Sequence, residues 1–341
     1  MNQPSAGSPL LSLRNVNLTY RALPALRDIN WTLQRGEQWV CLGPNGSGKT
    51  SLADVISGRA AHVAGDIARA PELATRGIAY VCFEQAKALC ERDRKLDDSE
   101  FRADASDPGT RVRDLILQGR APDADFDSWT EQLGMAHILD RGIRYISTGE
   151  MRKTLLASAI LNRPGLLILD NPLDGLDRDS QAAMQGILDE LLGGELPVLM
   201  LCRQLEDIPP AATHLLVLEG GALVTSGERE AVLADPRVSR LMKPPLPELG
   251  ALPTPAQRPY ELPSTGPVLA LREVSVRYGD LQVLDKVNWV FDRGQHCCVS
   301  GPNGCGKTTL LSLITGDNHK AYGQDITLFG VRRGSGESVW D

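Results

Sequence analysis

Trp39-Val-Cys-Leu42 runs straight into Gly43-Pro-Asn-Gly-Ser-Gly-Lys49-Thr50, and Ser51-Leu-Ala-Asp-Val-Ile-Ser57 follows, closed by Gly58. A short apolar run, a glycine turn and then a helical segment is the order of elements that a phosphate-binding site needs. Glycines let main-chain N–H groups converge on an anion where side chains would collide, and the positive end of the helix faces the same point. Gly43, Asn45, Gly46, Gly48 and Ser51 are the expected cradle. Lys49 is expected to reach the β and γ phosphates of a nucleoside triphosphate, and Thr50 to place its hydroxyl on Mg2+.

The same block recurs. Leu13 to Gly58 and Leu271 to Gly316 align without a gap, with roughly 20 of about 46 positions identical, which marks an internal duplication. The second cradle comprises Gly301, Asn303, Gly304 and Gly306, then Lys307, Thr308 and Thr309, so two nucleotide sites are implied. The copies are followed unequally: the first by about 200 residues, the second only by the short stretch to Asp341. The second domain is therefore expected to be partial and Asp341 a fragment boundary. The expected organisation is a first domain over 8–240, a linker over 241–267 and the start of a second domain over 268–341. Lys243 to Pro267 holds eight prolines and no apolar period, so it reads as a semi-extended linker.

With 341 residues, 42% apolar and 23% charged, the chain can bury a large core, and its net charge of −7 gives no electrostatic footprint for a nucleic-acid backbone. No apolar run approaches the ~20 residues that cross a bilayer, and the first residues lack the basic and apolar regions of a signal peptide. A cytoplasmic location follows as the expectation, with peripheral attachment to the inner face of the membrane as its variant. The seven cysteines form no CxxC pair and do not cluster with the five histidines, so reduced core thiols are expected.

Leu10 to Tyr20 and Asn30 to Gln38 alternate as strands do, and Ile78 to Phe83 reads as a buried strand. Glu91 to Asp107 mixes charges without apolar period and is expected to be an exposed loop. Helical signals run from Thr110 to Leu139 and again over Met151 to Leu161, which Pro164 ends. Leu166-Leu-Ile-Leu-Asp170 and Val198-Leu-Met-Leu201 are central strands, and Leu215 to Thr225 reads as a hairpin about Gly220-Gly221. The pattern is a parallel sheet with helices outside. Asp170 ends its strand as a carboxylate suited to the water shell of a cation.

Taken in order, Lys49, Ser147-Thr-Gly-Glu150, Asp170 and Pro172-Leu-Asp174-Gly-Leu-Asp177 resemble the ATP-binding-cassette ATPases. The tandem arrangement, the Ser-Thr-Gly-Glu signature and the ending from Ile326 to Asp341 are similar to the photorepair-type subgroup, described as molybdenum-transport ATP-binding proteins. The resemblance implies an α/β fold of the P-loop NTPase (RecA-like) kind, a parallel-sheet core with an antiparallel β subdomain and a helical subdomain, plus a partial second copy. It implies ATP and Mg2+ as ligands. Tyr20 and Tyr278 match the aromatic that stacks on adenine, and Gln85 matches the glutamine that senses Mg2+ and water, although Glu84 intervenes. Ser147 and Gly149 match the signature residues that face a γ phosphate. Thr50, Gln85, Asp170 and Thr308 make up the implied metal set. Intramolecular head-to-tail pairing is also implied, in which the Ser147 signature closes on nucleotide held by Lys307.

Two positions depart from the family's pattern. Asn171 stands where the family has a catalytic glutamate, and Arg203 where it has the switch histidine. An amide cannot serve as general base, so the first site is expected to bind ATP and hydrolyse it slowly, unless Asn171 orients water itself or Asp174 substitutes. Three functions remain open: an ATPase that energises integral membrane permease subunits on other chains, docked between Gln85 and Ser147; a soluble ATP-gated regulatory, translation or repair factor; and a nucleotide-binding module without useful turnover.

Overall fold

A computed structural model describes residues 8–21, 23–95, 109–243, 266–278 and 281–333. The chain divides into two compact units, Met1–Leu246 and Pro247–Asp341. Nearly all of the expected linker, and the end from residue 334, lie outside the described residues.

In the first unit, β1 (Leu11–Tyr20) and β2 (Leu23–Leu33) form a hairpin, β3 is Trp39–Leu42, and α1 is Lys49–Ser57. Then come β4 (Val63–Arg69), α2 (Pro71–Arg76), β5 (Ile78–Cys82), α3 (Phe83–Lys95), α4 (Val112–Leu117), α5 (Ala124–Gln132) and α6 (Thr148–Leu161). The unit continues through β6 (Leu166–Asp170), α7 (Arg178–Leu192), β7 (Val198–Cys202), β8 (His214–Glu219), β9 (Ala222–Glu228), α8 (Arg229–Leu233) and α9 (Pro236–Met242). Two sheets result. One is antiparallel with order β2-β1-β4; the other has order β5-β6-β7-β3-β8-β9, parallel throughout except for β9.

The continuous apolar runs are explained by burial on both faces of the large sheet. Val40, Leu42, Leu167, Leu169 and Met200 join the core beneath the helices. Their alternates Trp39, Cys41, Ile168, Leu199 and Leu201 join a second core shared with the antiparallel sheet, α1 and Trp31. Parallel strands turn their carboxyl ends to one side, which brings the residues after β3, β5, β6 and β7 to one edge. Glu91 to Lys95, expected in a loop, are helical instead. Asp93 is buried and accepts hydrogen bonds from Thr110 N at 2.7 Å and Thr110 Oγ1 at 2.8 Å, a contact that no local pattern reports. The rest of that expected loop, residues 96–107, lies outside the described residues.

The second unit has β10 (Leu269–Tyr278), β11 (Leu281–Phe291), α10 (Lys307–Thr315), β12 (Asp325–Leu328) and β13 (Val331–Arg332), with sheet order β11-β10-β12-β13. Its core is Leu269, Leu271, Val274, Val276, Leu284, Leu313 and Ile326 with their neighbours.

Candidate nucleotide-binding site

The loop of residues 43–48 joins the buried end of β3 to α1. Gly43 is obligatory by close approach, because a Cβ there would collide with Leu218 O and Ser47 Oγ. Gly48 is the helix N-cap in a left-handed conformation, φ 101°, which glycine adopts without strain and which starts α1 directly after the loop. Lys49 is buried, and its Nζ donates to Gly43 O at 2.6 Å and Pro44 O at 3.0 Å. Burial pushes the Lys49 pKa below its ordinary value, while Cys41 and the Asp170 carboxylate act the other way. At the loop lies a cleft of about 370 Å3, lined by Pro24 and Ala25, by Gly220, by Gly221 packed against Ala25, and by Asn171. Asn45, Gly46, Thr50 and Ser51 line it too.

Of the other residues singled out in the sequence, Asn171 lines this cleft and Asp170 touches Thr50 in it, while Gln85, Arg203, Tyr20, Ser147 and Gly149 are not among its lining residues. Thr50 Oγ1 donates to Asp170 Oδ2 at 3.0 Å, although the two are 120 residues apart. Asn171 has φ 48°, and its Nδ2 donates to Asp170 Oδ1 at 2.5 Å while its own Oδ1 is buried without a hydrogen-bond partner. Arg203, just past β7, forms an ion pair with Asp174. Gln85 lies in the first turn of α3, with its amide turned back on its own strand: Nε2 donates to Tyr80 O at 3.0 Å, and Oε1 accepts from Cys82 N at 3.3 Å. Tyr20 is 44% exposed at the end of β1, and its hydroxyl donates to Asp54 Oδ2 at 3.4 Å. Ser147 caps α6 in a reciprocal box: its Oγ accepts from Glu150 N at 3.2 Å, and its N–H donates to Glu150 Oε2 at 2.7 Å. Gly149 passes close to Ser180 of α7.

Three residues at this edge carry no sequence motif. Tyr80, in the middle of β5, donates its hydroxyl to Asp170 Oδ2 at 2.6 Å. Burial, then the Asp170 carboxylate, hold its phenol far above the usual pKa, so the hydroxyl keeps its proton and acts as a hydrogen-bond donor. Arg59 lies over its ring. Arg152 reaches from α6 to the carbonyls of Asn171, Pro172 and Asp174. A lone arginine among Met151, Leu155 and Leu156 on a buried helix was the available signal for it.

In the second unit the loop keeps its local form. Gly306 caps α10 with φ 95°, and Lys307 Nζ donates to Gly301 O and Pro302 O, both at 2.7 Å. Its setting differs, because residues 295–300 are not in a strand and Gly301, Asn303, Gly304 and Thr308 are exposed. Thr309 is half-buried. Tyr278 is 41% exposed and its hydroxyl accepts from Asn318 Nδ2 at 2.8 Å. Cys297 and Cys298, expected as core thiols, are exposed, whereas Cys41 is buried and its pKa is pushed up to about 12. The difference is physical: β3 is covered by β7 and β8, and no described strand flanks 295–300.

No described helix is long and apolar enough to cross a membrane. The family model described as ABC transporter matches residues 26–174 and 284–332. The ABC transporter ATP-binding protein ModF of Escherichia coli (strain K12) is 35% identical over 313 residues, covering 91% of this chain, while the chain spans 63% of ModF's length. The zinc import ATP-binding protein ZnuC of Halorhodospira halophila is 32% identical over 74% of this chain and 92% of its own length. A crystal structure of an ATP-binding cassette of an ABC transporter, in its ADP conformation, superposes with a TM-score of 0.54 at 20% identity, covering 69% of this chain and 98% of that one. With the phosphate loop after β3 and the carboxylate that ends β6 in contact with it, and with these matches, the chain belongs to the ATP-binding proteins of the ABC transporter family.

Proposed function

We propose that the first unit binds ATP with Mg2+ in the cleft over residues 43–51 and hydrolyses it slowly. The donor set fits the ion, since Asp170 Oδ2 and Thr50 Oγ1 are hard oxygen atoms 3.0 Å apart at the mouth of the loop. When bound, Mg2+ supplies charge neutralisation to the phosphate oxygens. Lys49 then exchanges two carbonyl partners for phosphate, which returns a buried cation to a counter-charge.

Slow turnover is carried by one observation: the position after Asp170 holds Asn171, whose amide donates to Asp170 and cannot take a proton. Arg203, permanently cationic and paired with Asp174, supplies no base either. The names of the relatives support a coupling role, with ATP-driven closure transmitted to membrane permease subunits on other chains that dock between Gln85 and Ser147.

The test is steady-state hydrolysis by the whole chain with a complete second cassette supplied, before and after Asn171→Glu. A carboxylate there is expected to raise turnover about tenfold or more, below the full ~10²- to 10⁴-fold of general-base catalysis because Arg203 remains. Unchanged turnover with unchanged ATP affinity counts against the reading.

A further inference from the structure

Asp170 is gripped from three sides. Its Oδ2 accepts from Tyr80 Oη at 2.6 Å and from Thr50 Oγ1 at 3.0 Å, and its Oδ1 accepts from Asn171 Nδ2 at 2.5 Å. The threonine and the asparagine sit on or beside segments with motifs; the tyrosine comes from β5, whose parallel register sets Cys82 opposite Asp170. Tyr80 is itself fixed. The Arg59 guanidinium carbon lies 3.4 Å from its ring centroid, and Arg59 Nη2 and Nε donate to Asp54 Oδ1 at 2.5 and 3.1 Å. The backbone of Tyr80 is used as well, its carbonyl accepting from Gln85 Nε2 at 3.0 Å. One residue thus touches two of the three side chains of the first site expected to serve the cation, Asp170 through its hydroxyl and Gln85 through its carbonyl.

The geometry points to Tyr80 as a positioning residue for the divalent cation of the first site, with its hydroxyl setting the Asp170 carboxylate beside Thr50 and Arg59 bracketing its ring. The inference rests on the Mg–ATP reading of this cleft. Oδ2 accepts from two hydroxyls on different elements, so the carboxylate cannot rotate without losing a charge-assisted hydrogen bond. Partners that orient a ligating group in this manner change metal affinity by about 10- to 100-fold when removed. The bracket belongs to the first copy alone: at the positions of Asp54 and Arg59 the second copy has Ser312 and Asp317.

Tyr80→Phe removes the hydroxyl and keeps the ring under Arg59. The full chain carrying Lys307→Ala, so that only the first loop reports, is titrated with a fluorescent ATP analogue in excess Mg2+ and in EDTA, with and without Tyr80→Phe. The expected result is a Mg2+-dependent gain in affinity cut about tenfold, with affinity in EDTA unchanged. Arg59→Gln is expected to act in the same direction and more weakly. An equal Mg2+ gain in Tyr80→Phe and its parent overturns the inference. So does an equal loss with and without Mg2+, which marks a merely structural tyrosine. Absence of binding by the Lys307→Ala parent in both media defeats the nucleotide reading itself, and the inference with it.

Discussion

Replacing Arg152 by methionine tests how the signature helix is tied to the loop after β6. Arg152 is 7% exposed and donates to Asn171 O at 3.0 Å, Pro172 O at 2.6 Å and Asp174 O. A hydrogen bond with one charged partner is worth about 1.5–3 kcal/mol net, so three would sum to roughly 4–9 kcal/mol if they were independent. They are not, because one desolvated cation serves all three and its burial alone costs several kcal/mol. That cost shows in the guanidinium pKa, which burial pushes below its ordinary value while the Asp174 charge opposes the shift. Methionine keeps the apolar stem and removes the cation, leaving the carbonyls partly unsatisfied, so a net loss of about 2–4 kcal/mol is expected. Urea unfolding should show the first unit's midpoint lowered by about 1 M, and amide exchange over Asn171 to Asp174 should accelerate beyond the rest of the unit. A midpoint within about 0.2 M of the parent, with exchange unchanged at that loop, would refute the reasoning.

Gly221→Ala is expected to cost about 2–3 kcal/mol, because φ is 81° and the new Cβ would lie 2.6 Å from Ala25 O across the cleft wall. Gly36→Ala, at φ 82° with no atom within 4 Å, should cost only about 1 kcal/mol, and equal urea midpoints for the two variants would defeat the packing argument. Acid titration of stability tests the Glu150 cap. Burial raises the Glu150 pKa, but the Ser147 amide and hydroxyl, then His137, outweigh it, so the folded value lies below the ordinary 4.5. A depressed carboxyl contributes stability above its unfolded pKa and loses it as pH falls through the folded value. The parent should therefore lose more stability than Glu150→Gln below pH 4.5, by about 0.5 kcal/mol after allowing for solvent screening, as measured by urea midpoints across that range.

What the sequence disclosed here was local, and what it withheld was long-range. The order of β3, loop and α1, the capped start of α6 and the carboxylate ending β6 are each written within about a dozen consecutive residues, where period, caps and glycines speak directly. Tyr80 and Asp170 are 90 residues apart, and nothing in Ile78 to Cys82 reports that β6 will lie beside it. Arg152 is likewise assigned only by the loop it meets, 19 to 22 residues onward. The error over Glu91 to Lys95 has the same origin, since the buried Asp93 is satisfied by Thr110 from beyond the charged stretch. The composition around Cys297 and Cys298 suggests core residues, whereas burial of such a run requires neighbours like β7 and β8 on either side.

The two loops separate these contributions. Gly43 and Gly301 have φ 157° and 151°, and Gly48 and Gly306 have φ 101° and 95°. Each lysine folds back on the same two carbonyls, Lys49 in a buried setting and Lys307 with its bonds exposed to solvent. The anion cradle is therefore a property of the loop and its helix, formed whether or not parallel strands flank it. The groups proposed to act on phosphate are of the other kind: Gln85, Asp170, Asn171 and Arg203 come from the ends of β5, β6 and β7, and only the order of those strands makes them neighbours along one edge. Both departures from the family's pattern, Asn171 and Arg203, fall in that second set, and none falls in the cradle over Gly43 to Thr50. Substitution so distributed spares grip and alters chemistry, which is the physical reason to expect tight ATP binding with slow hydrolysis at the first site.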